Sequence, residues 1–353
     1  MMESSDAKKE LCIIYHCPCY DGAYGAINAY LYYKNFTNNK YKITFLPLKN
    51  TFPIYSKLEK KYDKIISLDL GLRDDDIKFL TDESNNNTSI IIFDHHCGWS
   101  EKYNKEYLPK IKDRKKLTIC YDEQNKKSAC GLSFDYFKNK ALSKKNLDKN
   151  KVEEIYNENL KLINLYVEDS DTGNCNMKNN EEFKSALSQS HSIHLTDFTL
   201  KTSQRINDFI NITPSYLIKI GYKCITKIKK QSRNVLKESK AYVVELQNCY
   251  KFLMCITEKK YVRNYACPLL GKISQKKGFL PVGAFVYTFE RKNNLYKFSM
   301  RSADDSYDVS KIASIYGGGG HKHAAAFTMN YDDIKKFIVE TINIYDEVDK
   351  TSF

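Results

Sequence analysis

Ser89-Ile90-Ile91-Ile92-Phe93 runs directly into Asp94-His95-His96. A short, near-continuously apolar run rich in β-branched residues reads as a strand buried on both faces. Two earlier runs have the same build. Cys12-Ile13-Ile14-Tyr15 ends in His16-Cys17-Pro18-Cys19-Tyr20-Asp21-Gly22, and Ile65-Ile66-Ser67-Leu68 ends in Asp69-Leu70-Gly71. Ile43-Thr44-Phe45-Leu46 is a further strand candidate. Asp21 to Asn35 carries Ala23, Ala26, Ile27 and Tyr30 at the spacing of one buried helical face. Strand alternating with helix predicts an α/β fold with a doubly wound parallel sheet.

Each of the three runs ends in side chains able to bind a metal ion. In a parallel α/β sheet the carboxyl ends of the strands meet at one edge, so residues remote in sequence gather in one cleft. Asp and His together suit Mn²⁺ or Mg²⁺, with carboxylates taking the larger share. Taken singly, an Asp after a strand is usually a helix cap or turn residue, and a lone His is usually structural. Joint placement at three strand ends favours a metal site. His is also scarce: of seven, five stand at 16, 95, 96, 321 and 323.

Further along, Ser128 to Lys138 is helical in pattern, with Leu132 and Phe137 as anchors. Asn139 to Asn159, rich in Lys, Asn, Asp and Glu, reads as a solvated loop or an exposed helix. Leu160 to Val167 is apolar and leads into Glu168-Asp169-Ser170-Asp171. Residues 196–240 read as a helical, Lys-rich connector between a domain at 1–195 and a smaller α/β domain at 241–345. That second domain has strand candidates at Ala241–Leu246, Phe252–Ile256, Val282–Thr288 and Tyr296–Met300. It closes with the glycine loop Gly317–Gly320 and a short helix from Asp332. Glycines let backbone N–H groups approach a phosphate closely. Arg301 can fork onto a phosphate bidentately, and His321 adds a switchable donor. The plainer reading of the run is a tight turn packed by Ala324 to Ala326.

The chain has 353 residues, enough for two domains, and a formal net charge of +13. Excess Lys and Arg suit a phosphate-rich partner, although a general Lys, Asn and Tyr bias accounts equally well for the charge. Eleven dispersed cysteines read as reduced thiols of an intracellular protein. Met1 to Glu10 lacks the apolar core of a signal peptide, and no apolar run approaches the roughly 18 residues of a membrane span. The expectation is a soluble, cytoplasmic protein.

Asp94-His95-His96 resembles the signature of the DHH phosphoesterases. His16 with Asp21-Gly22 resembles their first motif, Asp69 their second, and Asp169-Ser170-Asp171-Thr172-Gly173 their fourth. Arg301-Ser302, followed by Gly317-Gly318-Gly319-Gly320-His321-Lys322-His323-Ala324-Ala325, resembles the signature of the DHH-associated domain. The resemblance covers roughly residues 10 to 345. It implies that His16, Asp21, Asp69, His95 and one of Asp169 and Asp171 hold one or two divalent ions, Mn²⁺ or Mg²⁺, with Asp69 bridging. Asp169 is the slightly favoured member of its pair. It further implies that His96 touches the scissile phosphate or its leaving group and that Asp94 orients the histidines. Arg301, Ser302, Gly318, Gly319, Gly320 and His321 would bind substrate. The first motif departs from the pattern in two ways: Cys19 stands where the family usually has a second Asp, and the spacing from His16 to Asp21 is one residue shorter. A thiolate is a poor match for Mn²⁺ or Mg²⁺. Ala326 stands where the family commonly has Gly.

The implied activity is metal-dependent, exonuclease-type hydrolysis of phosphodiester bonds in short oligonucleotides or dinucleotides. The implied partner is a short nucleic acid or nucleotide, with no membrane and with a homodimer as an allowed assembly. Phosphomonoester or polyphosphate hydrolysis and a degenerate nucleotide-binding protein are the alternatives.

Overall fold

The structure is a computed structural model. It describes residues 8–49, 58, 61–71, 76, 88–95, 105, 109, 117–122, 124, 126–174, 176–189, 196–199, 201–247, 249–304 and 306–353. The chain divides into two compact units, Met1–Tyr222 and Lys223–Phe353.

The first unit is built on five parallel strands: β1 (Lys9–His16), β2 (Tyr41–Leu48), β3 (Lys64–Leu68), β4 (Ser89–Asp94) and β5 (Leu117–Tyr121), in the order β2-β1-β3-β4-β5. The three continuous apolar runs became the three central strands. Their side chains alternate between two cores. Leu11, Ile13, Tyr15, Ile66, Leu68, Ile91 and Phe93 pack on one face, and Cys12, Ile14, Ile65, Ile90 and Ile92 on the other. This explains why the runs lack polar alternation: both faces exclude water. Helix α1 (Tyr20–Phe36) covers the first face, with α2 (Ala129–Leu142) packed beside it. The α/β class with a parallel sheet is as the periodicity predicts. β5 was not anticipated. It lies at the sheet edge with its residues partly exposed, so it lacks the apolar continuity that marks the inner strands.

The segment read as a loop or exposed helix holds the end of α2 and a short helix α3 (Lys149–Ile155), capped by Asp148, whose side chain accepts from Asn150 N. Val152 and Tyr156 anchor it in the core, and Tyr156 Oη donates to Asn28 O at 2.7 Å. The acidic fourth motif is the last turn of helix α4 (Glu158–Asp171). Helices α5 (Asn180–Gln189) and α6 (Thr202–Asn211) follow, then α7 (Pro214–Glu238), inside which the division between the two units falls.

The second unit is a seven-stranded sheet. Its strands are β6 (Ala241–Leu246), β7 (Tyr250–Ile256), β8 (Val282–Glu290), β9 (Leu295–Ser302), β10 (Gly319–His321), β11 (Ala324–Asn330) and β12 (Ile338–Ile342), in the order β10-β11-β9-β8-β7-β6-β12. All pairings are antiparallel except β7 with β8, which are joined by helix α8 (Arg263–Lys276). Val243, Leu253 and Phe285 face α8. Val244, Met254 and Phe298 face the other side, where α9 (Val309–Ile315) and α10 (Tyr331–Lys336) pack. The chain beyond Asp332 is richer than the single expected helix: α10 is followed by β12 and by α11 (Tyr345–Lys350). Among the described residues, no helix is long and apolar enough to cross a membrane.

The turn from β1 into α1 is tight. A Cβ at Gly22 would lie 2.4 Å from the His16 carbonyl oxygen and 2.9 Å from its nitrogen. Only glycine lets the first turn of α1 close on the end of β1. Gly22→Ala is therefore expected to destabilise the protein by about 1–3 kcal/mol, the usual cost of overpacking. A urea denaturation midpoint unchanged from wild type would show that the turn relaxes freely.

Candidate metal centre

The parallel strands deliver their final residues to one edge. His16 closes β1, Asp69 follows β3, and Asp94 closes β4 with His95 next. Asp21 lies in the first turn of α1 and Asp171 ends α4. Asp69 takes a left-handed conformation, φ +58, which non-glycine residues adopt mainly where surroundings impose it. Its amide donates to Phe93 O at 2.9 Å, pinning the β3 exit to β4.

Two donor sets share Asp69. One is His16, Cys19 and Asp69; the other is Asp21, Asp69, His95 and Asp171, with the ligand atoms of each set within 4.8 Å of one another. Asp69 Oδ2 lies 3.0 Å from His16 Nδ1, and its Oδ1 lies 3.7 Å from His95 Nε2. His95 Nε2 is also 3.7 Å from Asp21 Oδ2 and 2.9 Å from Asp171 Oδ2. Three carboxylates and an imidazole in a largely buried pocket are a hard donor set that fits a divalent cation. Burial and the charges of Asp69 and Asp171 push the Asp21 carboxyl up to about 7, against partial relief from His95. Burial, followed by the charges of Asp69, Asp21 and Asp171, pushes the Cys19 thiol well up. Cys19 is thus placed with His16 and Asp69, but as a thiol until a cation arrives.

Asp21 is aimed by a partner the sequence reading missed. Ser128 Oγ donates to Asp21 Oδ1, as does Cys130 N at 2.8 Å, and Ala129 N donates to Oδ2 at 3.0 Å. The N-terminus of α2 therefore grips the carboxylate through its free amides and its dipole. Ser128 sits at the N-cap position without capping its own helix; its hydroxyl is spent on Asp21. Glu168 reaches the same helix end, accepting from Ser128 N at 3.1 Å, and burial pushes its carboxyl up to about 7. Nothing in the local sequence marks Ser128 or Glu168, because their role depends on α2 and α4 packing together.

Of the two aspartates of the fourth motif, the one brought to the cluster is Asp171, not the favoured Asp169. Two residues apart on a helix means about 200° apart around its axis, so only one can face the metal edge. Asp169 instead clamps the following loop. It accepts from Asn176 N at 2.7 Å, Met177 N at 2.9 Å and Asn180 Nδ2. Asp94 is fully buried at the end of β4. His96 lies outside the described residues.

In the second unit, Arg301 stands on β9 with its guanidinium donating to Met300 O at 2.8 Å, Ser299 Oγ at 3.2 Å and Asn264 Oδ1 at 2.9 Å. Asn264, at the start of α8, was also missed. His321, Ala324 and Arg301 share one row across β10, β11 and β9. The His321 side chain lies outside the described residues. The glycine run is first a helix end: Gly317 N donates to Ser314 O at 3.1 Å and Gly318 N to Ala313 O at 2.9 Å, as in a Schellman cap. The N–H groups of Gly317 and Gly318 are therefore committed to α9, which narrows the expected phosphate-facing backbone to Gly319 and Gly320. Gly320 has φ +146, and a Cβ there would lie 2.4 Å from Ala324 O. Ser302 Oγ is engaged by Asp304 O at 2.6 Å.

Residues 250–345 match the family described as the DHHA1 domain. The match bears out the resemblance of the C-terminal part of the chain to the DHH-associated domain. No curated protein matches the sequence. Solved structures similar to the chain include an uncharacterized protein from Helicobacter pylori G27, 14% identical, covering 96% of this chain and 99% of its own, with TM-score 0.35. A pGpG-specific phosphodiesterase from Vibrio cholerae is 13% identical, with 98% and 100% coverage and TM-score 0.43. An exopolyphosphatase-related protein from Bacteroides fragilis is 13% identical, with 98% and 91% coverage and TM-score 0.43.

The raised Asp21 carboxyl sets a pH dependence. A cation needs the carboxylate, so binding displaces a proton and weakens as pH falls below about 7. The same shift makes the ionised form the costly one in the folded protein. Its contribution to the stability of the metal-free protein is present below about pH 4 and is lost as pH rises towards 7. Calorimetric titration of Mn²⁺ at pH 6.5, in buffers of different ionisation enthalpy, is expected to show proton release that Asp21→Asn reduces. Release unchanged in the variant would place the proton elsewhere.

Proposed function

We propose that this protein is a divalent-metal-dependent hydrolase of phosphodiester bonds in short oligonucleotides or dinucleotides, working with Mn²⁺ or Mg²⁺. The observation that carries the reading is Asp69, whose two oxygens face two separate donor sets. The DHHA1 match over residues 250–345 supports it. The ligands are His16, Asp21, Asp69, His95 and Asp171, with Cys19 a weaker donor beside His16. A cation held there would supply a water of lowered pKa and positive charge for the phosphoryl oxygens.

The chain's own residues prepare that chemistry. The α2 N-terminus and Ser128 fix the Asp21 carboxylate, so its oxygens cannot turn away from the cluster. The left-handed Asp69 splits its carboxylate between the two sets. Asp171 Oδ2, 2.9 Å from His95 Nε2, keeps the imidazole turned towards the cluster. Arg301 holds a terminal phosphate of the substrate, its guanidinium oriented by Asn264 and Ser299. Gly319, where a Cβ would meet nothing within 4 Å, leaves the neighbouring backbone open to close approach. The positive charge of the chain, +13, favours such anionic substrates.

Purified protein given Mn²⁺ is expected to cleave two-to-five-mer RNA or a linear dinucleotide in preference to polyphosphate and nucleotide bisphosphate. Asp69→Asn should abolish turnover while the circular dichroism spectrum stays that of wild type. Wild-type activity in that variant would remove the metal assignment. Arg301→Ala should weaken substrate binding about ten- to a hundred-fold, the size of a lost charge-assisted contact. The loss should be larger on substrates bearing a terminal phosphate than on those without. Equal losses on both would make Arg301 structural.

A further inference from the structure

The parallel sheet has a second edge, where its strands begin. Helices in such a sheet run antiparallel to the strands, so α1 and α2 start at the metal cluster and end at this opposite edge. There they enclose a bay of about 540 Å³ with the first residues of β2 and β3. Lys40, Lys64, Lys140 and Lys144 line it, and among the described residues no carboxylate does.

Three of the four ammonium groups have partners that hold them. Lys64 opens β3 and donates to Ser89 Oγ at 2.6 Å. Lys140 donates to Tyr136 Oη at 3.0 Å and lies 5.0 Å from that ring's centroid and 5.9 Å from that of Tyr32. Lys144 donates to Phe36 O and stands 5.4 Å from the Tyr32 centroid. Among the described residues, none of these lysines pairs with a carboxylate. Aromatic faces and backbone oxygens hold the cations without neutralising them.

Capping of helix ends is the plainer role for such lysines, since α1 and α2 both present carbonyls here. Each helix end carries about half a negative charge, so two ends offset about one of four ammonium charges. Lys64 belongs to a strand and caps nothing. Burial first, and then the charges of Lys140 and Lys9, push its pKa down to about 8.

We propose that this bay binds a small polyphosphate anion, two or more linked phosphates either free or carried by a nucleotide. A single phosphate would leave much of the positive charge unmatched, whereas linked phosphates can meet ammonium groups spread around the rim. The volume falls within the range of small-ligand sites, about 300–1,000 Å³. The bay is not the metal cluster seen from another side. Along α1 the rise from Asp21 in its first turn to Phe36 in its last is about 22 Å.

The test is calorimetric titration of the full chain, held metal-free with a chelator, against tripolyphosphate, ATP and orthophosphate. One tripolyphosphate per chain is expected, bound at least about tenfold more tightly than orthophosphate. Lys140→Gln and Lys144→Gln should each weaken it about tenfold or more. The exposed Lys40→Gln should shift it in the same direction and keeps the test open if either of the others fails to fold. Asp69→Asn and Arg301→Ala should bind tripolyphosphate as wild type does. Equal affinity for ATP and tripolyphosphate would make the phosphates the whole ligand; tighter ATP would make the nucleotide its source. Absence of binding at millimolar tripolyphosphate would overturn the proposal. So would binding that survives all three lysine changes and is lost in Arg301→Ala.

Discussion

Three carboxylates, Asp21, Asp69 and Asp171, press around the imidazole of His95 at the carboxyl edge of a parallel sheet. Like charges at such distances in a buried pocket repel strongly unless a cation joins them. Much of the first unit is arranged to hold this costly group together. β3 ends in a left-handed Asp69, α1 closes on His16 through a residue without a side chain, and α2 spends its free amides on Asp21. Each of these would be unfavourable or idle in isolation. Together they place hard ligands where an ion can gather them.

The polarity of the helices organises the rest of that unit. α1 and α2 run from the cluster to the opposite edge, so their amide ends face the carboxylates and their carbonyl ends face the lysines, whereas α4 runs the other way and ends in Asp171. The two charged regions are consequences of one topology. A parallel sheet needs crossover helices, and those helices carry opposite partial charges to opposite edges. The cluster uses the positive end as an anchor for a ligand side chain. The lysine bay overcompensates the negative end.

The second unit solves a different problem with an edge hairpin. β10 and β11 extend the sheet next to β9 using Gly318, Gly320 and alanines, which lets the strands approach closely and keeps the row beside Arg301 low. The glycine run has two tasks. Its first half ends α9 and its second half begins a strand, so the backbone left for a ligand is shorter than four consecutive glycines suggest.

The strand runs of the first hundred residues were legible because burial on both faces writes itself as unbroken apolar sequence. His16, Asp21, Asp69 and His95 were legible because each sits at the end of such a run. β5 was not, since an edge strand lacks that continuity. Ser128, Glu168 and Asn264 were not, since their partners lie between 37 and 107 residues away. Local pattern separates Asp169 from Asp171 only slightly: both are acidic and both lie at the end of the same helix. The choice between them came from the rotation of α4 about its axis as it packed on α1 and α2. Side-chain period is a local property of the chain. Which side of a helix meets a given strand end is a property of the packed core, and that packing turned Asp171 to the metal edge and Asp169 to the loop.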